Sequence, residues 1–474
     1  MIKSTRAAAA AVIATLLTGM PALAAQNLLD TYDQALRNDT ELLTARAESG
    51  AASARYRQAR GQLLPQLSAS ASYSRVTQDQ SFESSGGDGL GGGASFFGGS
   101  GGESTSDQQS YSLDLTQPLF NWTAWQNKDA ADARRDQAAL SLSAAEQQLI
   151  VRVAEAYFDV LAARDALTAA REQQRSINSQ LDRAQAAFEA GLDPITDQQE
   201  AQSSLDSAIV DAIDAENQLA AARDALITLT GRSPDELSGI DVEEDVPDKA
   251  GDADSRDRED WLAVALNSSP QVAASRAAWR AAREDIAAQR GGHLPNVNLV
   301  GSVGRSEQLS PFGGGGGQLN IINETQSIGV QLEMPLFAGG STRAAVSEAG
   351  YNAEQVRLDL ISVRRQLLVD INDAYRNVET TARRLDALDR AITSGQTALE
   401  AAQAGYRLGN RTILDVIDAQ ITLVQRRADR KQAWYDHALS RLRLRRAAGV
   451  LDFNELARIN ARLRGAPVSA EHSG

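Results

Sequence analysis

The chain is two copies of one pattern laid end to end, and this duplication restricts the fold more than any other feature. Gly191 and Gly409 lie 218 residues apart, and so do Gly231 and Gly449. Tyr157 and Tyr375 share that offset, inside Ala156-Tyr157 and Ala374-Tyr375, and Ile195-Thr196-Asp197 answers to Ile413-Leu414-Asp415. The apolar spacing repeats as well: Leu149, Val153, Ala156 and Val160 against Leu367, Ile371, Ala374 and Val378. A four-three-four spacing is a coiled-coil seam. One offset fits every match, so each element inferred in one half is expected in the other.

Each half opens with a helical lead-in, over 27–62 and 260–290. A Leu-Pro step follows (Leu64-Pro65, Leu294-Pro295) and then an alternating stretch. In the first half Leu67, Ala69, Ala71 and Tyr73 interleave with Ser68, Ser70, Ser72 and Ser74; the second has Val297, Leu299, Gly301 and Val303. Such alternation predicts a strand with one apolar and one polar face. Gly/Ser-rich loops are expected over 77–109 and 306–326, after which the chain returns through a second alternating stretch. The expected strands are 66–76, 109–119, 296–305 and 326–335, each about the length of a membrane β-strand. Four strands cannot close a barrel, and an open edge cannot sit in lipid. If these strands lie in a membrane, other copies of the chain must supply the rest; a small soluble sheet capped by helices is the alternative.

Long helices are expected after each hairpin, over 121–190 with a return at 196–229, and over 340–408 with a return at 412–448. Seventy residues of helix reach on the order of 100 Å, and the small residues on their seams suit antiparallel coiled-coil hairpins. The plan is thus α+β: a signal peptide at 1–24, a first repeat at 25–232, an acidic linker or girdle at 233–259, a second repeat at 260–450 and a tail at 451–474.

Export follows from the first residues. Lys3 and Arg6 precede an apolar run over 7–17, and Ala22-Leu23-Ala24 offers small residues at a cleavage site. No later run of about 18 apolar residues predicts a membrane helix. Cysteine is absent, which removes both a lipoprotein anchor and disulfides. The formal charge of −15 argues against nucleic acid as a partner. No enzyme site, cofactor or metal site is expected: His293, His437 and His472 are scattered, and the 313–317 glycine run lacks the Lys-Ser/Thr pair of a phosphate loop.

Together these features resemble the TolC family of outer-membrane factors over nearly the whole mature chain. The segments that carry the resemblance are Gly191-Leu192-Asp193-Pro194-Ile195-Thr196-Asp197 and the run from Ala404-Gly405-Tyr406-Arg407-Leu408-Gly409 through Asn410-Arg411-Thr412-Ile413-Leu414-Asp415-Val416-Ile417-Asp418, with His293-Leu294-Pro295 and Met334-Pro335-Leu336-Phe337. The resemblance implies a homotrimer forming a twelve-stranded barrel in outer-membrane lipid on a periplasmic helical tunnel. It also implies docking to a periplasmic adaptor (a membrane fusion protein) and an inner-membrane transporter, in an efflux pump or a type I secretion system. The missing cysteine resembles the non-acylated branch.

Asp415 and Asp418 stand at i and i+3 and so share a helix face. On one chain that face is ordinarily solvated. Turned toward a trimer axis it would make two rings of carboxylates that favour cations and raise each other's pKa. The resemblance places the equivalent aspartates at the pore constriction. It further implies that Tyr406 and Arg411 tie the inner hairpin to its neighbour through Thr196, Asp197 and Gln180, a latch that an adaptor would break. Gln403 departs from the family habit of an acidic residue there. A periplasmic coiled-coil adaptor or scaffold is the competing reading, separable by detergent dependence and membrane-fraction location.

Overall fold

The computed structural model describes residues 26–79, 103–191, 194–233, 237–239, 256–312 and 317–463. The expected signal peptide, most of the acidic segment and the last residues of the tail lie outside the described residues. The chain divides into two compact units, one of Glu48–Leu140 with Ala273–Ser362, the other of Met1–Ala47, Ser141–Val272 and Val363–Gly474.

The first unit is built on a four-stranded antiparallel sheet in the order β1 (Gln66–Asp79), β2 (Glu103–Phe120), β3 (Asn296–Phe312), β4 (Gly317–Glu333). Each hairpin keeps the same register: Leu67 faces Leu115 in the first, and Val297 faces Leu332 in the second. The repeats meet where Leu113 stands opposite Val303. The strands are 14, 18, 17 and 17 residues long, well past the ten or so that the alternation indicates. The second Gly/Ser loop is accordingly corrected: 306–312 and 317–326 are strand, and only 313–316 lie outside the described residues. The physical reason is that Leu319, Ile321 and Ile322 favour extended backbone and that both strands continue an already fixed ladder. The first loop is shortened in the same way, by strand at 77–79 and 103–109.

Helices adjoin the sheet in this unit. Gly291 follows helix α6 (Pro270–Arg290), and a Cβ there would sit 2.4 Å from Thr123 Oγ1. That closeness lets Trp122 Nε1 donate to the Ala287 carbonyl at 3.1 Å and Thr123 Oγ1 to Ala288 at 3.2 Å. Both residues open α3 (Trp122–Glu189).

The second unit is helical. Each expected lead-in is two helices, not one: α1 (Leu28–Asn38) and α2 (Thr40–Gly61) break at Asp39, α5 (Arg258–Ser268) and α6 at Ser269. Asp39 and Ser269 have extended backbone and accept from the amides of Leu42 (2.7 Å) and Val272 (3.4 Å), so each caps the second helix of its pair. Asp39 is also paired with Arg152 at 2.8 Å. The return helix α4 (Ile195–Thr230) ends at Gly231, and α8 (Ile413–Ala447) runs on to Gly449. These two glycines have φ of 72° and 73° and lie against the two breaks. A Cβ on Gly231 would be 3.2 Å from Asn38, and one on Gly449 would be 2.5 Å from the Ser268 carbonyl.

The core of this unit is where α3 of one repeat packs on α8 of the other. Phe158 meets Trp434 edge-on at 6.2 Å and stacks on Tyr435 at 5.5 Å. Asp165 accepts from Tyr435 Oη at 2.8 Å and from Lys431 Nζ at 3.2 Å, and Arg443 reaches Glu155 at 2.8 Å. The tail contributes α9 (Phe453–Asn460), whose buried Glu455 is ringed by Arg441, Arg445 and Arg458. Among the described residues, no helix is long and apolar enough to cross a membrane.

Candidate functional site

The sheet comes first because its two faces differ so sharply. Register puts Ala69, Leu113 and Val303 side by side on one face, with Leu67, Leu115 and Leu299 beside them and Ile328, Val330 and Leu332 on β4. Most of this is open: Ile328 is 80 % exposed and Leu332 66 %, while Leu115 and Leu299 are half-buried. A continuous apolar surface four strands wide marks a site for lipid or a partner. The other face is hydroxyl-lined, with Ser70–Ser112, Ser72–Ser110 and Ser302–Ser327 bonded across strands at 2.7–2.8 Å.

The apolar band has ends. Toward the hairpin loops, Arg75 grips Asp107 through two nitrogens at 2.6 and 3.0 Å, and Tyr73 Oη donates to the same carboxylate. At the same level of the second hairpin Arg305 stands opposite Glu324, 3.6 Å away. At the other end Phe120 and Trp125 meet edge-on at 5.2 Å, and Leu336 and Phe337 are bare. An apolar belt between an ionic rim and an aromatic rim is the profile of a barrel wall in a bilayer.

The helical tip holds the residues singled out in the sequence. Helix α7 (Ser341–Arg407) ends in a turn closed by Gly409 (φ 72°) and Asn410, which donate to the carbonyls of Tyr406 and Gly405 at 2.9 Å each. Thr412 then caps α8. Its hydroxyl accepts from the Asp415 amide at 3.3 Å, and the Asp415 carboxylate takes the Thr412 amide at 2.9 Å and its hydroxyl at 3.0 Å. Asp415 is thus half of a reciprocal capping box. The Thr-x-x-Asp spacing could have announced it. These bonds, with Arg411 close by, hold the Asp415 carboxyl below the usual carboxylate range. Within the chain this is opposite in sign to the upward shift expected from a ring of like charges. Asp418 lies exposed one turn further along the helix.

The latch residues are divided. Tyr406 packs against a buried cluster of Ile177, Ala184, Ala201, Ala208, Ile413 and Ile417, which joins the first hairpin to α8. The Arg411 guanidinium lies 3.8 Å from Asp415, whereas Thr196 donates to its neighbour Asp197 at 3.4 Å. Gln180 is half-buried on α3. The residue that the sequence reading missed is Gly405: a Cβ there would come within 3.0 Å of Arg411 Cγ, so the glycine makes room for the arginine.

A largely exposed apolar sheet face, a hydroxyl-lined opposite face and paired long helical hairpins define an outer-membrane barrel protein with a helical conduit. The model of the family described as outer membrane efflux protein matches residues 31–232 and 261–450. The chain is 31 % identical over 455 residues to outer membrane protein TolC of Vibrio cholerae serotype O1, covering 96 % of this chain and 97 % of that one. It is 30 % identical over 440 residues to the alkaline protease secretion protein AprF of Pseudomonas aeruginosa, covering 92 % and 87 %. Its fold is similar to the crystal structure of the Campylobacter jejuni CmeC outer membrane channel, with a TM-score of 0.73 at 18 % identity over 92 % of this chain and 89 % of that one. The chain belongs to the outer membrane efflux protein family. It resides in the outer membrane.

Proposed function

We propose that this protein is the passive outer-membrane duct of an efflux or secretion machine: three copies share one barrel, and a helical tip is opened by a periplasmic adaptor. The observation that carries the reading is the four-stranded sheet itself, apolar and bare on one face, hydroxylated on the other. Such a sheet is stable in lipid only when its outer edges are paired, which within one chain they are not. Three copies, as the family resemblance implies, make a twelve-stranded barrel, within the ordinary range of such barrels.

In this reading the serine face lines a wet lumen, and Asp415 with Asp418 forms acidic rings at the tip. Tyr406, Arg411, Thr196, Asp197 and Gln180 belong to the contacts that hold the tip shut. The in-chain pairing of Arg411 with Asp415 supports a reserve role for the arginine: it neutralises the ring carboxylate until it is drawn elsewhere. The cargo class, whether drug, metal or secreted polypeptide, is set by the adaptor and transporter that feed the duct. Homology to proteins named for efflux and for protease secretion supports both uses.

Conductance in planar bilayers tests this. Wild-type protein is expected to form cation-selective pores, and Asp415→Ala with Asp418→Ala to lose most of that selectivity. Unchanged selectivity in the double variant sinks the acidic rings. If the protein stays soluble without detergent and forms no pores, even with Arg411→Ala, it is a periplasmic scaffold instead.

A further inference from the structure

Charges on the sheet are sorted by face, and the sorting leaves one carboxylate in a place the tip does not explain. Over 66–120 and 296–333 the sequence has two bases, Arg75 and Arg305. Both fall on the apolar face, two residues beyond Tyr73 and Val303, and both are held by acids of that same face: Asp107 for Arg75, Glu307 and Glu324 for Arg305. Among the described strand residues, the hydroxyl face has two carboxylates and no base. Glu333 stands at one end, opposite Asn296. Asp114 stands in the middle, with Ser68 and Ser302 opposite it and Ser327 completing the row. The Ser112 hydroxyl donates to Asp114 at 2.7 Å and keeps the carboxylate on this face. Leu113 and Leu115, its neighbours in the chain, point the other way into the apolar belt. Asp114 therefore lies directly behind that belt, at mid-membrane depth.

We propose that Asp114 is a second charge-selecting residue of the duct, acting inside the barrel and favouring cationic over anionic cargo. This rests on the trimeric-duct reading, in which the hydroxyl face lines the lumen and three Asp114 carboxylates share one level. An ionisable side chain at membrane depth faces water and marks an ion path, and a ring of carboxylates with no base beside it favours cations. A serine would serve the wall equally well: every residue opposite Asp114 along its row is one.

Magnitudes separate this level from the tip. Twelve strands about 4.8 Å apart and tilted by about 40° close at a backbone radius of about 12 Å. The screening length is about 30 Å at 0.01 M salt and about 3 Å at 1 M. The field of the Asp114 ring therefore fills the lumen in dilute solution, strengthened by the low-dielectric wall behind it, and is confined to the wall in concentrated salt. Carboxylates at a narrow tip stay within reach of every passing ion at either salt. The two levels thus have different salt dependence, and cationic cargo leaving the tip is met by attraction a second time.

Reversal potentials in a potassium chloride gradient across planar bilayers test this, in the Asp415→Ala, Asp418→Ala background where the tip rings are gone. At about 0.01 M salt that variant is expected to retain a residual preference for potassium over chloride, and at about 1 M to lose it. Adding Asp114→Asn should abolish the residue at low salt, Asp114→Ser should do the same, and Asp114→Glu should keep it. The glutamate variant separates charge from structure, because a merely structural role of the Ser112 bond predicts no recovery of selectivity by a displaced carboxylate. Pores whose residual preference is unchanged by both neutral variants overturn the assignment and leave the duct standing. So does a double variant without any preference at low salt, and so does a residual preference of equal size at both salts. Protein that forms no pores and stays soluble without detergent overturns the duct and the ring together.

Discussion

At Asp415 one carboxylate serves two ends. It accepts the Thr412 amide, which fixes the start of α8, and in the duct it would contribute charge to the tip. Removing Thr412 therefore acts on both. Thr412→Ala is expected to cost about 1 kcal/mol of stability, the usual loss for a cap. It also removes the hydroxyl bond that favours the ionised carboxylate, while the backbone amide at 412 still donates, so the pH at which cation selectivity fades should rise, though only slightly, in the variant; bilayer recordings across pH 3–6 would show it. The sequence exposed the aspartate pair but not the cap, because attention to charge overlooked the spacing to Thr412. His437 is a second residue whose environment decides its chemistry. Burial and the nearby Arg441 and Arg462 push its pKa down to about 4, while Thr381 Oγ1 meets Nδ1 at 3.0 Å and the Val378 carbonyl pulls weakly the other way. A histidine neutral in the fold and protonated when unfolded contributes stability above its free pKa, near 6.5, and loses it as pH falls toward 4. The thermal midpoint in detergent should fall over that window, and less steeply in His437→Gln.

Elements show what alternation and periodicity can and cannot reveal. Helices α3 and α7 were legible to within a residue or two, since long apolar seams and glycine stops leave little freedom. The breaks at Asp39 and Ser269 were not, because a capped kink keeps helical composition on both sides. Strand ends were legible only where the apolar belt ends; beyond Tyr73 and Val303 the ladder continues through polar pairs such as Arg75 with Asp107 and through Ile321 and Ile322 side by side, which break the apolar–polar alternation. The kink also sets a difference between equivalent-looking glycines. Gly449→Ala must clash with the Ser268 carbonyl and adopt a left-handed backbone, which should cost about 3 kcal/mol. Gly191→Ala has open space and pays only for the backbone, about 1 kcal/mol. Thermal melts of the two variants give the comparison.

For the whole molecule, the apolar belt means that the environment, not the chain alone, completes the fold. A charge in mid-belt should be punished and one in the lumen forgiven. Val330→Lys is expected to lose about 2–4 kcal/mol of barrel stability, and Ser70→Lys little, with the heat at which the trimer dissociates in detergent as the readout. The barrel was legible in the sequence as a problem, four strands with unsatisfied edges. Its solution was legible only through the family resemblance, because a single chain does not encode how many copies surround it.

The two tip turns, alike in their glycines, are unlike in how their next helices begin. Thr412 fastens α8 from both directions, whereas α4 starts at Pro194 with no side chain capping it. Uncapped first turns unwind more often. Amides at Asp197 and Gln198 should therefore exchange with deuterium sooner than those at Asp415 and Val416, so a tip with twofold sequence symmetry would come undone on one side first.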